Sequence, residues 1–326
     1  MSKVILAIGY HDQNAPRHWN IKRDLEQEGW EVRECHTTKK GFFRKFHDLR
    51  RQYLDHQEDA SAVLVTFPGH FLMPPLWLLT RGKHPKLMFD AFISLSDTLV
   101  DDRKKVSWVN PYAWFLYILD CLSCYLADEI WIDTEAHRQF FIKRFHIPPS
   151  KIRAIYLKAR TDIFFPREYP PERAPGTPLE ILFYGTYIPL QGIEHVLRAA
   201  KILQDQKVNV HFTLIGSGQT YKPMRALAER LGLSNVAFHE RVPFSELPER
   251  IKVADLCLGI FDTGDKAGRV IPHKVYDAVA CGVPVLTADT PAIRERCTNG
   301  KEVILCRAGD PKDLAAKIQE FAAKLG

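Results

Sequence analysis

A chain of 326 residues, 46% apolar and 26% charged, has material for two ordinary domains and the composition of a globular protein. Its net charge of +6 is shared by both halves, which excludes a nucleic-acid binder built on one concentrated basic face. No apolar run approaches the roughly 20 residues that span a bilayer; the nearest, 106–127, is broken by Asn110, Pro111 and Asp120. Seven irregularly spaced cysteines and a start without a secretory leader pattern point to a reducing cytoplasm. Cys121 and Cys124 lie in an apolar helical run without a second ligand pair, so they read as buried thiols and not as a zinc site.

The first apolar run, 4–8, predicts a strand that ends in Gly9 and a polar loop. A helix near 21–29 and a strand from Trp30 complete a β-α-β opening without a GxGxxG fingerprint, so no dinucleotide cofactor is expected. Residues 39–56 (KKGFFRKFHDLRRQYLDH) place Phe42, Phe46, Leu49 and Tyr53 at helical spacing among many Lys and Arg. That pattern fits contact with an anionic membrane surface; the plainer alternative is a surface helix packing Phe46 and Leu49 on the sheet. Strands at 62–66 and 86–89 end near His70 and Asp90, with Asp97 shortly after. Strand ends are where doubly wound domains hold functional groups, so these three residues are candidates to orient hydroxyls. Local capping and turn chemistry is the alternative for His70 and Asp97, and Asp101 and Asp102 read as a solvated charge cluster. The aromatic run 106–126 predicts a helix whose default is core packing, with an acceptor- or lipid-facing groove as the sharper alternative. Strands at 129–132 and 152–157 with a helix at 135–145 close a first domain, 1–168. The proline-rich stretch EYPPERAPGTP marks a linker at 169–178.

The second domain, 179–326, repeats the β-α pattern. Strand 179–184 runs into the loop Gly185–Gly192 and a helix at 193–204; strand 210–215 ends in Gly216-Ser217-Gly218, before a helix at 222–231. Strand 236–238 is followed by Arg241-Val242, and Ser245 is placed to cap a helix to Ile251. The segment 261–295 organises the half: after strand 256–261 and a polar loop, Pro272 opens a short helix with Lys274 and Asp277 on one face, and Gly282 ends it. A loop and helix N-terminus beyond the carboxyl end of a parallel strand offer amides and dipole to an anion, and Arg269 and Lys274 add charge. Strand 303–306 and helix 311–325 finish the chain, and the last helix is a candidate to pack back on the first domain. The fold expected is α/β, two Rossmann-like doubly wound parallel sheets facing a central cleft.

The pieces FYGTYIPLQGIEHVLRAA, FTLIGSGQ, NVAFHERVPFSELPERIKVADLCLGIF and IPHKVYDAVACGVPVLTADTPAIRE, in this order over roughly 179–309, resemble family 4 glycosyltransferases of the GT-B fold. ADEIWIDTEAHRQFF in the first half is similar to the partner domain, less closely. The resemblance implies retaining transfer of a sugar, a hexose, from a nucleoside-diphosphate sugar without a metal, UDP or GDP being the leaving nucleotide. It implies a glycan, lipid-linked or small-molecule hydroxyl acceptor, polysaccharide biosynthesis, and a place in the cytoplasm or at the inner membrane face. Asp277 takes the position of the second Glu of the family's Glu-x7-Glu motif, which holds the ribose hydroxyls. The backbone at Arg241-Val242 would edge the base, and Gly9, Gly216 and Pro272 would approach the donor. The first Glu falls on Arg269, and the basic pair of the Gly loop falls on Thr186 and Gln191. Lys274 and Arg269 are expected to replace the lost cations and stabilise the departing diphosphate, with His70, Asp90 or Asp97 orienting hydroxyls. Two rivals remain: a sugar-nucleotide epimerase on the same fold, and a catalytically silent scaffold subunit.

Overall fold

The computed structural model describes residues 3–169, 174 and 176–325. The chain divides into two compact units, 1–158 and 159–326, so the division falls before the proline-rich stretch. Of the linker read at 169–178, residues 170–173 and 175 lie outside the described residues.

The first unit runs β1 (Lys3–Gly9), α1 (Pro16–Gln27), β2 (Trp30–His36), α2 (Phe42–His56), β3 (Ala60–Val65), α3 (Met73–Thr80) and β4 (Lys86–Asp90). It continues with α4 (Pro111–Leu126), β5 (Glu129–Ile132), α5 (Glu135–Phe145) and β6 (Ile152–Ala154). The strands form one sheet in the order β2-β1-β3-β4-β5-β6, and every pair is parallel, with Ile5 opposite both Val32 and Ala62. A parallel sheet is covered on both faces, which is why β1 and β3 are unbroken apolar runs and not alternating ones. Leu6, Ile8, Val63 and Phe89 pack under α2, α3 and α5, while Ile5, Leu64 and Met88 pack under Ile21 and Leu25 of α1.

The two aromatic-rich helices of this unit bury different shares of their apolar residues. The apolar stripe of α2 is mostly core, since Leu49 and Tyr53 are fully buried and Phe46 packs against them; at its first turn Phe43 stays 86% exposed. In α4 the reverse holds. Asn110 caps it by accepting from the Tyr112 amide and Pro111 fits its first position, but Trp114, Phe115, Ile118, Leu122 and Tyr125 all face solvent. Core packing was the default for that run, and half of it is surface. Ala113, Leu116, Leu119, Asp120, Ser123 and Cys124 are buried, and Tyr117, Cys121 and Leu126 pack partly buried against the core. Asp120 explains the buried polar position: its carboxylate accepts from the Ser94 and Ser96 hydroxyls at 2.7 Å and the Leu95 and Ser96 amides at 2.9 Å. One α4 carboxylate thus holds the loop that follows β4.

The second unit runs β7 (Leu179–Tyr184), α6 (Ile193–Asp205), β8 (Val210–Ile215), α7 (Tyr221–Leu231), β9 (Val236–His239), α8 (Leu247–Lys252) and β10 (Leu256–Leu258). It ends with α9 (His273–Ala280), β11 (Val285–Ala288), α10 (Pro291–Arg294), β12 (Val303–Cys306) and α11 (Pro311–Leu325). The parallel order is β12-β11-β10-β7-β8-β9, so strand succession reverses between β7 and β10. Such a reversal leaves a crevice beyond the strands' carboxyl ends. Ser245 is not the cap expected of it: it lies inside a 3-10 turn, Phe244–Glu246, and Pro248 fixes the start of α8 at Leu247. Pro272 is the residue before α9, not its first residue, and Gly282 with φ 70° follows its end. Leu314, Ala315 and Ile318 of α11 belong to its own unit's core with Val196 and Leu197 of α6. Among the described residues no helix is long and apolar enough to cross a membrane.

Candidate functional site

Three consecutive strand ends in the second unit, those of β7, β8 and β9, build one cavity of about 260 Å³. Tyr184, Thr186, Gly216, Ser217, Arg241 and Val242 line it. The loops can close this tightly because their glycines have no side chain: a Cβ on Gly216 would lie 1.9 Å from the Gly185 carbonyl oxygen. Gly216 also has φ +147°, a conformation that L side chains rarely adopt. The Tyr187 amide donates to Ser217 O at 2.9 Å and locks the two loops together. Thr186 and Arg241 stay exposed at the rim.

Behind Gly185 stands Lys274, delivered by the first turn of α9. It is 6% exposed. Its Nζ donates to Gln191 Oε1 at 2.6 Å and lies 3.6 Å from the centre of the Phe183 ring. A Cβ on Gly185 would come within 3.1 Å of that ammonium. Burial pushes the Lys274 pKa well below the usual lysine range, and an anion beside Gly185 would restore the charged form. Tyr184 Oη donates to the Lys274 carbonyl at 3.1 Å, tying α9 to the cavity wall.

Asp277, one turn on, is 3% exposed and its Oδ1 has no hydrogen-bond partner among the described residues. Burial raises its pKa to about 8, so near neutrality it is largely a protonated carboxylic acid. It adjoins Tyr184, whose own pKa is raised well above the usual phenol range by burial and by Asp277. Arg269 is half-buried on the 3-10 turn Ala267–Arg269 and does not line the cavity. The structure therefore brings Thr186, Gly216, Arg241 and Val242 together, and separately joins Lys274 to Gln191.

The first-unit candidates do not converge on one cavity. Gly9 is packed against Thr66 and His11, where an added Cβ would meet Thr66 Oγ1 at 2.0 Å. Asp90 is sealed by a buried ion pair: Arg17 Nη2 donates to its Oδ1 at 2.6 Å and Nε to both oxygens at 2.9 and 3.0 Å. A carboxylate held in this way has little to offer a sugar hydroxyl. Asp97 is buried on a π-helical turn, Asp97–Asp102, with its amide donating to Ser94 Oγ at 3.0 Å. Asp101, exposed, accepts from Trp108 Nε1. His70 Nε2 donates to Ile93 O at 3.0 Å, which leaves Nδ1 as a bare lone pair without a partner among the described residues. Burial lowers the His70 pKa and keeps the ring neutral.

Sequence reading missed one cluster. His11, His18 and Glu34 bring donor atoms within 4.8 Å of one another. His18 Nε2 is 2.9 Å, and His11 Nε2 3.4 Å, from the Glu34 carboxylate. The two ring centres lie 3.7 Å apart, tilted by 32°, and Lys22 Nζ stands 3.4 Å from the same carboxylate, an arrangement that reads as a hydrogen-bonded charge cluster. Burial alone would raise the Glu34 pKa, but the His11 and His18 hydrogen bonds outweigh it and hold the carboxyl well below the usual range. No sequence spacing announces a set drawn from the loop after β1, from α1 and from β2.

Residues 165–324 match the family model described as Glycosyl transferases group 1. D-inositol 3-phosphate glycosyltransferase of Thermobispora bispora is 27% identical over 210 residues, 60% of this chain and 48% of that protein. The putative colanic acid biosynthesis glycosyltransferase WcaL of Salmonella typhimurium is 29% identical over 185 residues, 56% of this chain and 44% of its own length. The chain thus spans about half the length of the curated relatives it matches. Among solved structures, sucrose-phosphate synthase from Thermosynechococcus elongatus superposes with a TM-score of 0.73 at 14% identity, over 98% of this chain and 90% of that one. Anabaena HepE, solved in complex with UDP and glucose, gives 0.68 at 15% identity, over 100% of this chain and 90% of that one. The fold is GT-B, with two six-stranded parallel sheets.

Proposed function

We propose that this chain is a retaining glycosyltransferase that moves a hexose from a nucleoside-diphosphate sugar to a hydroxyl acceptor. The observation that carries this reading is the buried Lys274 ammonium beside Gly185 and Gln191. Gln191 is a position where the resemblance calls for a cation, and α9 supplies one from another strand's end. The group 1 match over 165–324 agrees with it. The base and ribose would occupy the cavity at Thr186, Gly216 and Arg241-Val242, with Asp277 behind the Tyr184 wall as the ribose-side carboxyl.

The bond from the anomeric carbon to the diphosphate breaks, which puts positive charge on the sugar and negative charge on the leaving oxygen. Lys274, Arg269 and the amides at the start of α9 stabilise the second charge. The acceptor oxygen bonds to the anomeric carbon from the same face and its proton passes to the departing phosphate oxygen. Same-face attack is preferred because no carboxylate among the described residues lines this cavity to act as a nucleophile. His70 Nδ1 and Asp97 are retained as groups that orient hydroxyls. HepE's complex with UDP and glucose supports a UDP-sugar as the first donor to try. Names of relatives in colanic acid biosynthesis support a glycan acceptor. Residence at a membrane face has its support in the exposed Phe42 and Phe43 among Lys39, Lys40 and Arg44.

A silent scaffold is the second reading, favoured by the sealed Asp277 and by Arg269 in place of a carboxylate. Incubation with UDP-, GDP- and ADP-sugars decides between them. Release of nucleotide from one of these, lost in Lys274→Ala, supports transfer. Turnover unaffected by that substitution refutes the site, and isomerised donor without acceptor signals an epimerase instead.

A further inference from the structure

A cavity of about 540 Å³ in the first unit opens beyond the carboxyl ends of β1 and β2. That lies within the range of small-ligand sites, about 300–1,000 Å³. Its walls are residues 10–14, 36–41 and Lys45. Three lysines (Lys39, Lys40, Lys45) and two imidazoles (His11, His36) face one carboxylate, Asp12, which already accepts from the Asn14 amide at 2.9 Å. Lys39 is paired with Asp48 at 2.5 Å. Lys40 has no ion-pair partner among the described residues, and Lys45 Nζ lies 3.9 Å from the centre of the Tyr10 ring with no carboxylate beside it.

One further observation points the same way. The helix α2 starts here after Gly41, with φ 84°, no side-chain cap and no acidic residue in its first turn, so its leading amides and dipole face the same space. A cavity for a neutral sugar has no need of uncompensated ammonium groups, which repel one another until an anion arrives.

We infer that this cavity binds a phosphate ester, with Lys40, Lys45 and the first turn of α2 as the phosphate-gripping elements. Within the glycosyl-transfer reading, on which this role rests, the ester is the acceptor. A soluble phosphorylated polyol and a membrane lipid headgroup share that chemistry, and the exposed Phe43 lies against the neighbouring Lys39, Lys40 and Arg44 surface.

Calorimetric titration of the full chain with glycerol 3-phosphate, inorganic phosphate and glycerol tests the inference. Both phosphates are expected to bind and glycerol to give no heat, with affinity at least tenfold weaker in the double variant Lys40→Gln, Lys45→Gln. These positions are on the surface, and an unchanged melting temperature confirms that the variant folds. Vesicles of phosphatidylglycerol against phosphatidylcholine separate the sources: selective capture that the double variant and Phe43→Ser both lose identifies a headgroup, and no capture identifies a soluble ester. Equal binding of phosphate by wild type and double variant, or no binding of either phosphate, overturns the site. Titration with UDP and GDP runs alongside. Phosphate-ester binding without nucleotide binding would sink the transferase reading and leave this cavity standing.

Discussion

The Lys274 ammonium and the Gln191 side chain, 83 residues apart, meet at 2.6 Å behind the Gly185 turn. A loop that lacks its own cation has one brought to it from the helix after the neighbouring strand. Replacing Lys274 with Ala is expected to lower turnover by about 10²–10³, the effect of removing one preorganised donor from an oxyanion. Nucleotide affinity should fall with it. Steady-state rates with a nucleotide-sugar, together with UDP or GDP titration, provide the check; wild-type values in the variant would remove Lys274 from the site.

Asp277 makes the fold sensitive to pH in a defined direction. Its folded pKa is about 8, against about 3.9 for an ordinary Asp. Between these values the unfolded chain is ionised and the folded chain keeps its proton. Stability from this residue is therefore greatest at low pH and declines as pH rises from about 4 to 8, by at most about 1.4 kcal/mol per pH unit. Asp277→Asn should flatten the decline, so that the variant gains on wild type at pH 8 relative to pH 5. Urea unfolding at both pH values measures the difference, and parallel profiles would contradict it.

Arg17 and Asp90 form a buried pair whose members are worth little apart. Removing either leaves an uncompensated charge, at a cost of about 3–5 kcal/mol. Asp90→Leu and Arg17→Leu are each expected to destabilise strongly, while the double variant is less damaged than either single one. Chemical denaturation of all three tests this. Additive losses would show that the two do not act as a pair.

How far the chain could be read beforehand follows from where each signal lives. Runs such as 4–8 and 62–65 announce buried parallel strands because every residue is apolar, and Gly282 announces the end of α9 because a left-handed turn favours it. Lys274 and Asp277 were visible as one face of a helix through their spacing. Asp90 with Arg17, or His11 with His18 and Glu34, are joined only by the fold, from elements that no local pattern links. The aromatic run of α4 failed as a core prediction for a different reason: Trp114, Ile118 and Tyr125 look the same in a sequence whether a neighbour covers them or not.

Gly216 offers a test of the cavity floor. An alanine there would place its Cβ on the Gly185 carbonyl at a backbone angle that disfavours it. Strain of this kind is worth about 1–3 kcal/mol, so Gly216→Ala should lower the melting temperature and weaken nucleotide binding together. A variant that melts like wild type and binds nucleotide normally would mean the two loops are free to separate.

Where Gly185 and Gly216 close on each other, the cavity has no side chain to exchange, because an added Cβ on Gly216 would meet the Gly185 carbonyl. On the proposed reading, the side chains that would set a preference for one nucleobase over another include Thr186, Arg241 and Val242 at its rim. An engineer wishing to retune the donor can randomise those three positions and leave the scaffold alone, since selectivity and foldability are written in different atoms.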